Sequence, residues 1–216
     1  MLEKMAEFFD KRLMTYDEHM LNEIEGAKEF YPFTAECLPK SDHTKLLDLG
    51  CGTGLELGYF FSRCPDAVVT CIDLAPGMLD ELQRKFRNKN ITIVNGSYFD
   101  IPFTKNYYDA TVSVESLHHF TKKEKIPLYR KIFNSLQDNG FFILTDYFAS
   151  TDEDEKHFRN ELIRLKEENG ISDKEFYHYD TPLTVGHETE ALNEAGFTKV
   201  EVLKNWANTY TIKASK

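Results

Sequence analysis

Short apolar runs and helix-spaced apolar stripes take turns along most of this chain. Leu46-Leu47-Asp48-Leu49, Val68-Val69-Thr70-Cys71-Ile72, Ile91-Thr92-Ile93-Val94, Tyr108 to Val114 and Phe141-Phe142-Ile143-Leu144-Thr145 are runs of four to seven residues. They are too short for helices and rich in β-branched and aromatic residues, so each predicts a buried strand. Between them lie stretches with helical spacing: Leu55 to Phe61, Pro76 to about Phe86 with proline in its first turn, and Lys122 to Leu136. A turn at Asp138-Asn139-Gly140 is expected before the fifth strand. Strand and helix in alternation require right-handed crossovers, hence an α/β fold with a doubly wound, mostly parallel sheet. Near the C-terminus a helix from His187 to Ala195 stops at Gly196. Thr198 to Leu203 and Thr209 to Lys213 then alternate apolar with polar, an antiparallel closing pair around Lys204 to Asn208 that brings the sheet to seven strands.

Two stretches stand outside this rhythm. Leu2 to Leu13 has helical spacing, Thr15 to Met20 interrupts it, and a second helix is expected from about Leu21 to Leu38, bent or broken at Pro32. Preceding the first strand, this segment cannot belong to the sheet and should cap the ligand crevice. Thr151 to Asn169 is a charged helix inserted after the fifth strand, followed by an aromatic connection from Gly170 to Thr184. A chain of 216 residues suits one domain. Its expected parts are an N-terminal helical cap (1–40), a core (41–149), a helical insertion (150–185) and a final helix with two strands (186–216).

The first strand runs straight into Gly50-Cys51-Gly52-Thr53-Gly54, a turn with glycine at alternate positions that opens a helix. Such a turn needs glycine where φ is positive or where backbone approaches a ligand. The ligand can be narrowed. A dinucleotide fingerprint beginning at Gly50 would want glycine at position 55, where Leu55 stands, and no Lys or Arg occurs between Leu46 and Ser62 to meet a polyphosphate. Asp73 closes the second strand, where an open α/β sheet places the acid that bonds ribose hydroxyls. Adenosine without phosphates, carrying a sulfonium and an amino-acid tail, fits this set.

At these residues the chain resembles the class I S-adenosylmethionine-dependent methyltransferases. The resemblance rests on Leu47-Asp48-Leu49-Gly50-Cys51-Gly52-Thr53-Gly54, Ile72 to Leu79, Asp100 to Phe103 and Leu117-His118-His119, and it covers residues 46–146. It implies S-adenosyl-L-methionine as cofactor, held by Asp48, Gly50, Cys51, Gly52, Thr53, Gly54, Asp73, Leu74, Met78 and Glu115. Where the family carries an acid and a small residue against the adenine, this chain has Ser97 and Tyr98; Ser97 as acceptor and Tyr98 or Phe99 as stacking ring are the expectations. A Tyr-Asp pair ahead of the first motif closes over the cofactor in related enzymes, which points to Tyr16. His118 and His119 are the candidate catalytic bases, with Tyr147, His178 and Tyr179 competing for the acceptor side. No metal-ligand set is read from spacing.

Charge and cysteine content narrow the partners. The net charge is −10, against the basic face of a general nucleic-acid binder. Arg84 to Lys89 reads as a solvated helix end away from the crevice, and Lys122 to Lys125 as a surface helix. The expected partner is therefore a small-molecule methyl acceptor. RNA, through wobble-uridine methylation on the same core, is the alternative, disfavoured by charge and by Asp152-Glu153-Asp154-Glu155. A non-catalytic cofactor-binding module is a third reading. Cysteines 37, 51, 64 and 71 form no Cys-x-x-Cys pair, no apolar stretch approaches the ~20 residues of a membrane span, and Met1 to Met5 is not a signal peptide. A cytoplasmic enzyme, monomer or homodimer, is expected.

Overall fold

The five apolar runs form five parallel strands: β1 (Lys45–Leu49), β2 (Val68–Asp73), β3 (Asn90–Asn95), β4 (Tyr108–Val114) and β5 (Leu136–Tyr147). The closing pair, β6 (Lys199–Trp206) and β7 (Thr209–Ser215), adds β7 antiparallel to β5 and β6 antiparallel to β7. The sheet order is β3-β2-β1-β4-β5-β7-β6. This computed structural model describes residues 2–171 and 175–216.

Strand periodicity splits the core into two layers. Leu46, Val69 and Ile143 face one side of the sheet, where they meet Phe30 of α2 (Ala27–Cys37) and Leu57 and Phe60 of α3 (Leu55–Arg63). Leu47, Leu49, Phe142 and Leu144 face the other, against Leu128, Tyr129 and Ile132 of α5 (Lys122–Ser135) and Leu192 of α7 (Val185–Ala195). Successive side chains on a strand point to opposite faces, so this division follows from sequence order alone. Strand order reverses between β1 and β4, which opens a crevice beyond their carboxyl ends.

The cap differs from its expected form. Helix α1 (Met5–Glu23) runs unbroken through Thr15 to Met20, a stretch with neither glycine nor proline. The break falls at Gly26, which adopts a left-handed φ of 80°. A Cβ there would stand 2.5 Å from Cβ of Trp206, so both conformation and space demand glycine. Helix α2 then carries Pro32 without stopping. The far end of the chain fastens it: Trp206 Nε1 donates to Glu29 Oε2 at 2.9 Å. Thr34, Thr145 and Thr211 join their hydroxyls across the core at 2.5 and 2.8 Å.

Three other expectations change. The turn before the fifth strand becomes an irregularity inside β5, because pairing jumps from Tyr108–Leu136 to Ala110–Phe141. Gln137 steadies it, donating to Tyr107 O and Asp109 Oδ1, both at 3.1 Å. The β6–β7 connection shrinks to Ala207-Asn208, with Ala207 at a φ of 46°. The basic clusters are engaged rather than free. Lys85, at the end of α4 (Pro76–Lys85), pairs with Asp17 and donates to Thr53 O at 3.3 Å, so it reaches the glycine turn. Lys122 pairs with Glu190 at 2.6 Å, and Lys125 with Glu188 at 2.6 Å inside the core, where Tyr129 also donates to Glu188.

The inserted helix α6 (Asp152–Asn169) is present and largely exposed. Its buried residue, Glu155, accepts from Thr184 N at 2.8 Å and lies 2.8 Å from His187 Nδ1, tying the helix to α7. Among the described residues no helix is long and apolar enough to cross a membrane.

Candidate active site

The crevice floor is the turn between β1 and α3. Gly50 N and Cys51 N donate to Ile72 O at 2.8 and 3.3 Å. Gly52 N donates to Asp73 Oδ2 and Ala75 N to Asp73 Oδ1, each at 2.8 Å. Burial pushes the Asp73 carboxyl up, and these N–H groups oppose that shift. Gly52 takes a φ of 49°, and the nearest atom to a Cβ there would be the Tyr16 hydroxyl at 3.6 Å. A Cβ there would rest against the Tyr16 ring. A narrow cavity of about 40 Å³ begins here, lined by Gly50, Gly52, Asp73, Leu74, Met78 and Tyr98, with Tyr16 and Glu115 across from them.

The other residues expected around the cofactor lie elsewhere. Asp48 is buried under the turn facing Glu56, and burial raises its carboxyl far above the usual range. Cys51 is buried beside Cys71. Thr53 is buried under α1 and donates to Asp17 Oδ1 at 2.5 Å. Gly54 starts α3, packed so that a Cβ would meet Phe86 at 2.8 Å. Ser97 accepts from Phe99 N at 3.1 Å. Phe99 packs on Phe120 and Phe176. Of the three residues expected at the adenine, only Tyr98 reaches the narrow cavity, its hydroxyl 3.2 Å from Ser116 Oγ.

A wider cavity of about 980 Å³ adjoins the narrow one. Helix α1 forms one wall with Phe8, Phe9, Tyr16 and Met20, and Tyr147, Thr209 and the histidines form the other. The cap is latched. Gly77 N donates to Asp10 Oδ1 at 2.9 Å, while Asp17 holds both Thr53 and Lys85. Met5 N donates to Phe176 O and His178 N to Glu3 O, each at 3.0 Å, which joins α1 to the connection after α6. That connection, rather than α6, reaches the cavity: it contributes His178 and Asp180, and α6 contributes nothing.

Glu115, His118 and His119 follow β4 into a tight turn. Glu115 has a φ of 49°, strained backbone of the kind that concentrates at functional sites. Its carboxyl accepts from Thr209 Oγ1 at 3.2 Å and is pushed by burial up to about 8. His118 Nδ1 lies 2.5 Å from Asp146 Oδ1. Asp146 is itself fixed by Leu117 N at 2.8 Å and Tyr147 N at 3.0 Å. Burial works against charge on His118, but the Asp146 and Asp180 carboxylates outweigh it and raise the ring to about 9. His119 is lowered by burial and by His118. His178, stacked on Phe8 at 3.5 Å, falls to about 4 through burial and His119.

Sequence reasoning passed over Phe9, Ser116, Asp146 and Asp180. Asp146 had a signal, an acid at the carboxyl end of a strand next to the crevice. Asp180 had none, because its place depends on how the connection after α6 folds back.

A doubly wound sheet of this order, with a glycine turn after β1 and a two-chambered crevice at the switch point, defines a Rossmann-like α/β fold. The family described as "Methyltransferase domain" matches residues 46–140. A carboxy-S-adenosyl-L-methionine synthase from Nitratiruptor sp. is 24% identical over 100% of this chain and 95% of its own. A malonyl-[acyl-carrier protein] O-methyltransferase from Acetivibrio thermocellus is 28% identical over 60% of this chain and 44% of its own. The solved structure of a SAM-dependent methyltransferase from Aquifex aeolicus superposes with a TM-score of 0.67 at 14% identity, covering 95% of this chain and 97% of that one. Over residues 46–140 the chain is thus similar to the S-adenosylmethionine-dependent methyltransferases, and S-adenosylmethionine is the cofactor that this similarity implies.

Proposed function

We propose that this methyltransferase acts on a small-molecule acceptor held in the wider cavity. One observation carries the reading: Phe9, Tyr16, Glu115 and His119 line both chambers, so the two meet at a single junction. The bound cofactor supplies an activated methyl group on a sulfonium, and the chain's residues align and enclose the reacting pair. Alignment of this kind contributes up to about 7–11 kcal/mol.

On this reading the free lone pairs of Asp73 accept the ribose hydroxyls. Gly52 lets backbone approach the ligand, and Leu74, Met78 and Tyr98 flank the base. Tyr16 and Glu115 close the amino-acid end, and His118 and His119 face the acceptor. The narrow chamber, about 40 Å³, is far below the roughly 300–1,000 Å³ of ligand pockets, so α1 must swing away for the cofactor to enter. Closure afterwards excludes water.

The small-molecule reading is supported by charge. Lys122 and Lys125 are spent on Glu190 and Glu188, and α6 opens with four consecutive acids, which leaves little to meet an RNA backbone. The relative from Nitratiruptor sp. favours a second reading, in which the product is a carboxylated cofactor. Incubation of the chain with methyl-labelled S-adenosylmethionine and fractionated cell extract separates these. Label in a small-molecule fraction is expected. Label confined to RNA or protein overturns the proposal, and label retained in a carboxylated sulfonium selects the second reading.

A further inference from the structure

We propose that His118, His119 and Asp180 form a binding site for one divalent transition-metal ion at the acceptor end of the wider cavity, with Asp146 supporting His118 from behind. The site is independent of which acceptor the enzyme uses.

The geometry is that of ligands around a shared centre. One ligand atom from each of the three residues lies within 4.8 Å of the others. Asp180 Oδ1 stands 3.1 Å from His119 Nδ1 and 3.6 Å from His118 Nε2. Ligand atoms about 2.1 Å from one ion are about 3.0 Å apart at right angles and about 3.4 Å apart at tetrahedral angles. Both separations fall close to those values. Asp180 Oδ1 is buried and makes no well-directed hydrogen bond, its near neighbours being the two imidazole nitrogens.

Asp146 completes the pattern. Metal-binding histidines give their second nitrogen to a carboxylate that fixes ring and tautomer. His118 does this through Nδ1 to Asp146 Oδ1 at 2.5 Å, which leaves Nε2 turned toward Asp180. A second grouping, Glu115, His118 and Asp146, contains that same direct contact and so serves as support rather than as another site.

Two imidazoles and one carboxylate suit zinc, cobalt, iron or manganese better than magnesium or calcium, which prefer all-oxygen shells. Three protein ligands leave positions open to the cavity. An ion there would polarise an acceptor oxygen and hold it in line. A purely hydrogen-bonded cluster is the competing account, since His119 Nδ1 also lies 3.3 Å from Tyr179 O.

Titration of the untagged full chain with Co²⁺ alone, read by calorimetry and visible absorption, decides between them. One equivalent should bind with the ligand-field bands of a nitrogen- and oxygen-coordinated ion. His119→Ala and Asp180→Asn should each weaken binding at least about tenfold, and Asp146→Asn by about 10–100-fold. His19→Ala, in the same cavity but on the α1 wall and outside the cluster, should leave it unchanged. Circular dichroism and S-adenosylhomocysteine binding report whether each variant stays folded. Wild type binding Co²⁺ no more tightly than the His119→Ala/Asp180→Asn double variant would overturn the site. A chain that binds S-adenosylhomocysteine but no Co²⁺ loses the metal site alone. A chain that binds Co²⁺ yet labels no small molecule keeps the site and loses the acceptor reading.

Discussion

The backbone N–H of Gly52 donates to Asp73 Oδ2 at 2.8 Å, which makes the glycine turn and the end of β2 one unit before any ligand arrives. Replacing the acid therefore strikes twice, at the ribose and at the turn. Hydrogen bonds to charged groups contribute about 1.5–3 kcal/mol each. Asp73→Asn should weaken S-adenosylhomocysteine at least about tenfold by calorimetry, a loss of about 1.4 kcal/mol. Unchanged affinity would remove Asp73 from the cofactor site.

Gly52→Val puts a branched side chain into the space between the turn and Tyr16. The left-handed backbone adds about 1–2 kcal/mol of strain. Far-UV circular dichroism should stay near wild type while cofactor affinity falls at least about 100-fold, or about 2.7 kcal/mol. Normal binding by this variant would mean that the turn is structural only.

Lys125 and Glu188 are both fully enclosed between α5 and α7. Lys125→Met strands the carboxylate, and breaking a buried pair from one side costs about 3–5 kcal/mol. Urea unfolding should show that loss, and Lys125→Met with Glu188→Leu should recover most of it. A single variant as stable as wild type contradicts the pairing.

Asp48 and Glu56 face each other under the glycine turn, each with one buried oxygen that lacks a hydrogen bond. Burial raises both carboxyls; Asp17 adds to the rise at Glu56, and Lys85 opposes it. Acids of this kind bind protons in the folded chain at pH values where the unfolded chain, titrating near about 4, has already released them. Stability from them is therefore full at low pH and is lost as pH rises through their raised folded values. Glu56→Gln should raise the melting midpoint over wild type at pH 8, and the advantage should shrink toward pH 5. An equal difference at both pH values would refute the assignment.

The sheet was legible because it depends on local pattern. Strands β1 to β4 fall within a residue or so of the apolar runs, and the two faces follow from their alternation. The cap was not, because its break depends on a distant partner. Nothing near Gly26 announces that Trp206 will fill the space beside it. Lys85 and Lys125 looked like surface charge because lysines usually are; Asp17 and Glu188 that pair with them lie 68 and 63 residues away in sequence. The glycine turn could be read down to its ligand class. Which of its residues faced the cavity could not, since Cys51, Thr53 and Gly54 point away only once α1, α3 and α4 have packed.

The backbone bridge between α1 and the connection after α6 makes one lid of two segments distant in sequence. Hydrogen exchange should therefore slow in residues 5–23 and 175–181 together when S-adenosylhomocysteine is added, most around Tyr16. Asp17→Ala, which releases Thr53 and Lys85, should speed exchange in α1 without ligand. Protection gained only at the glycine turn and Asp73, with both segments unchanged, would show that they are no lid.

Helix α2, which continues from the α1 lid, is held by Thr145 and Trp206, 111 and 177 residues further along the chain from their partners Thr34 and Glu29. The glycine turn and the first four strands can therefore assemble before α2 has met either partner. The helical cap thus takes its hold on the sheet through contacts of long sequence separation, the kind that form slowly in folding.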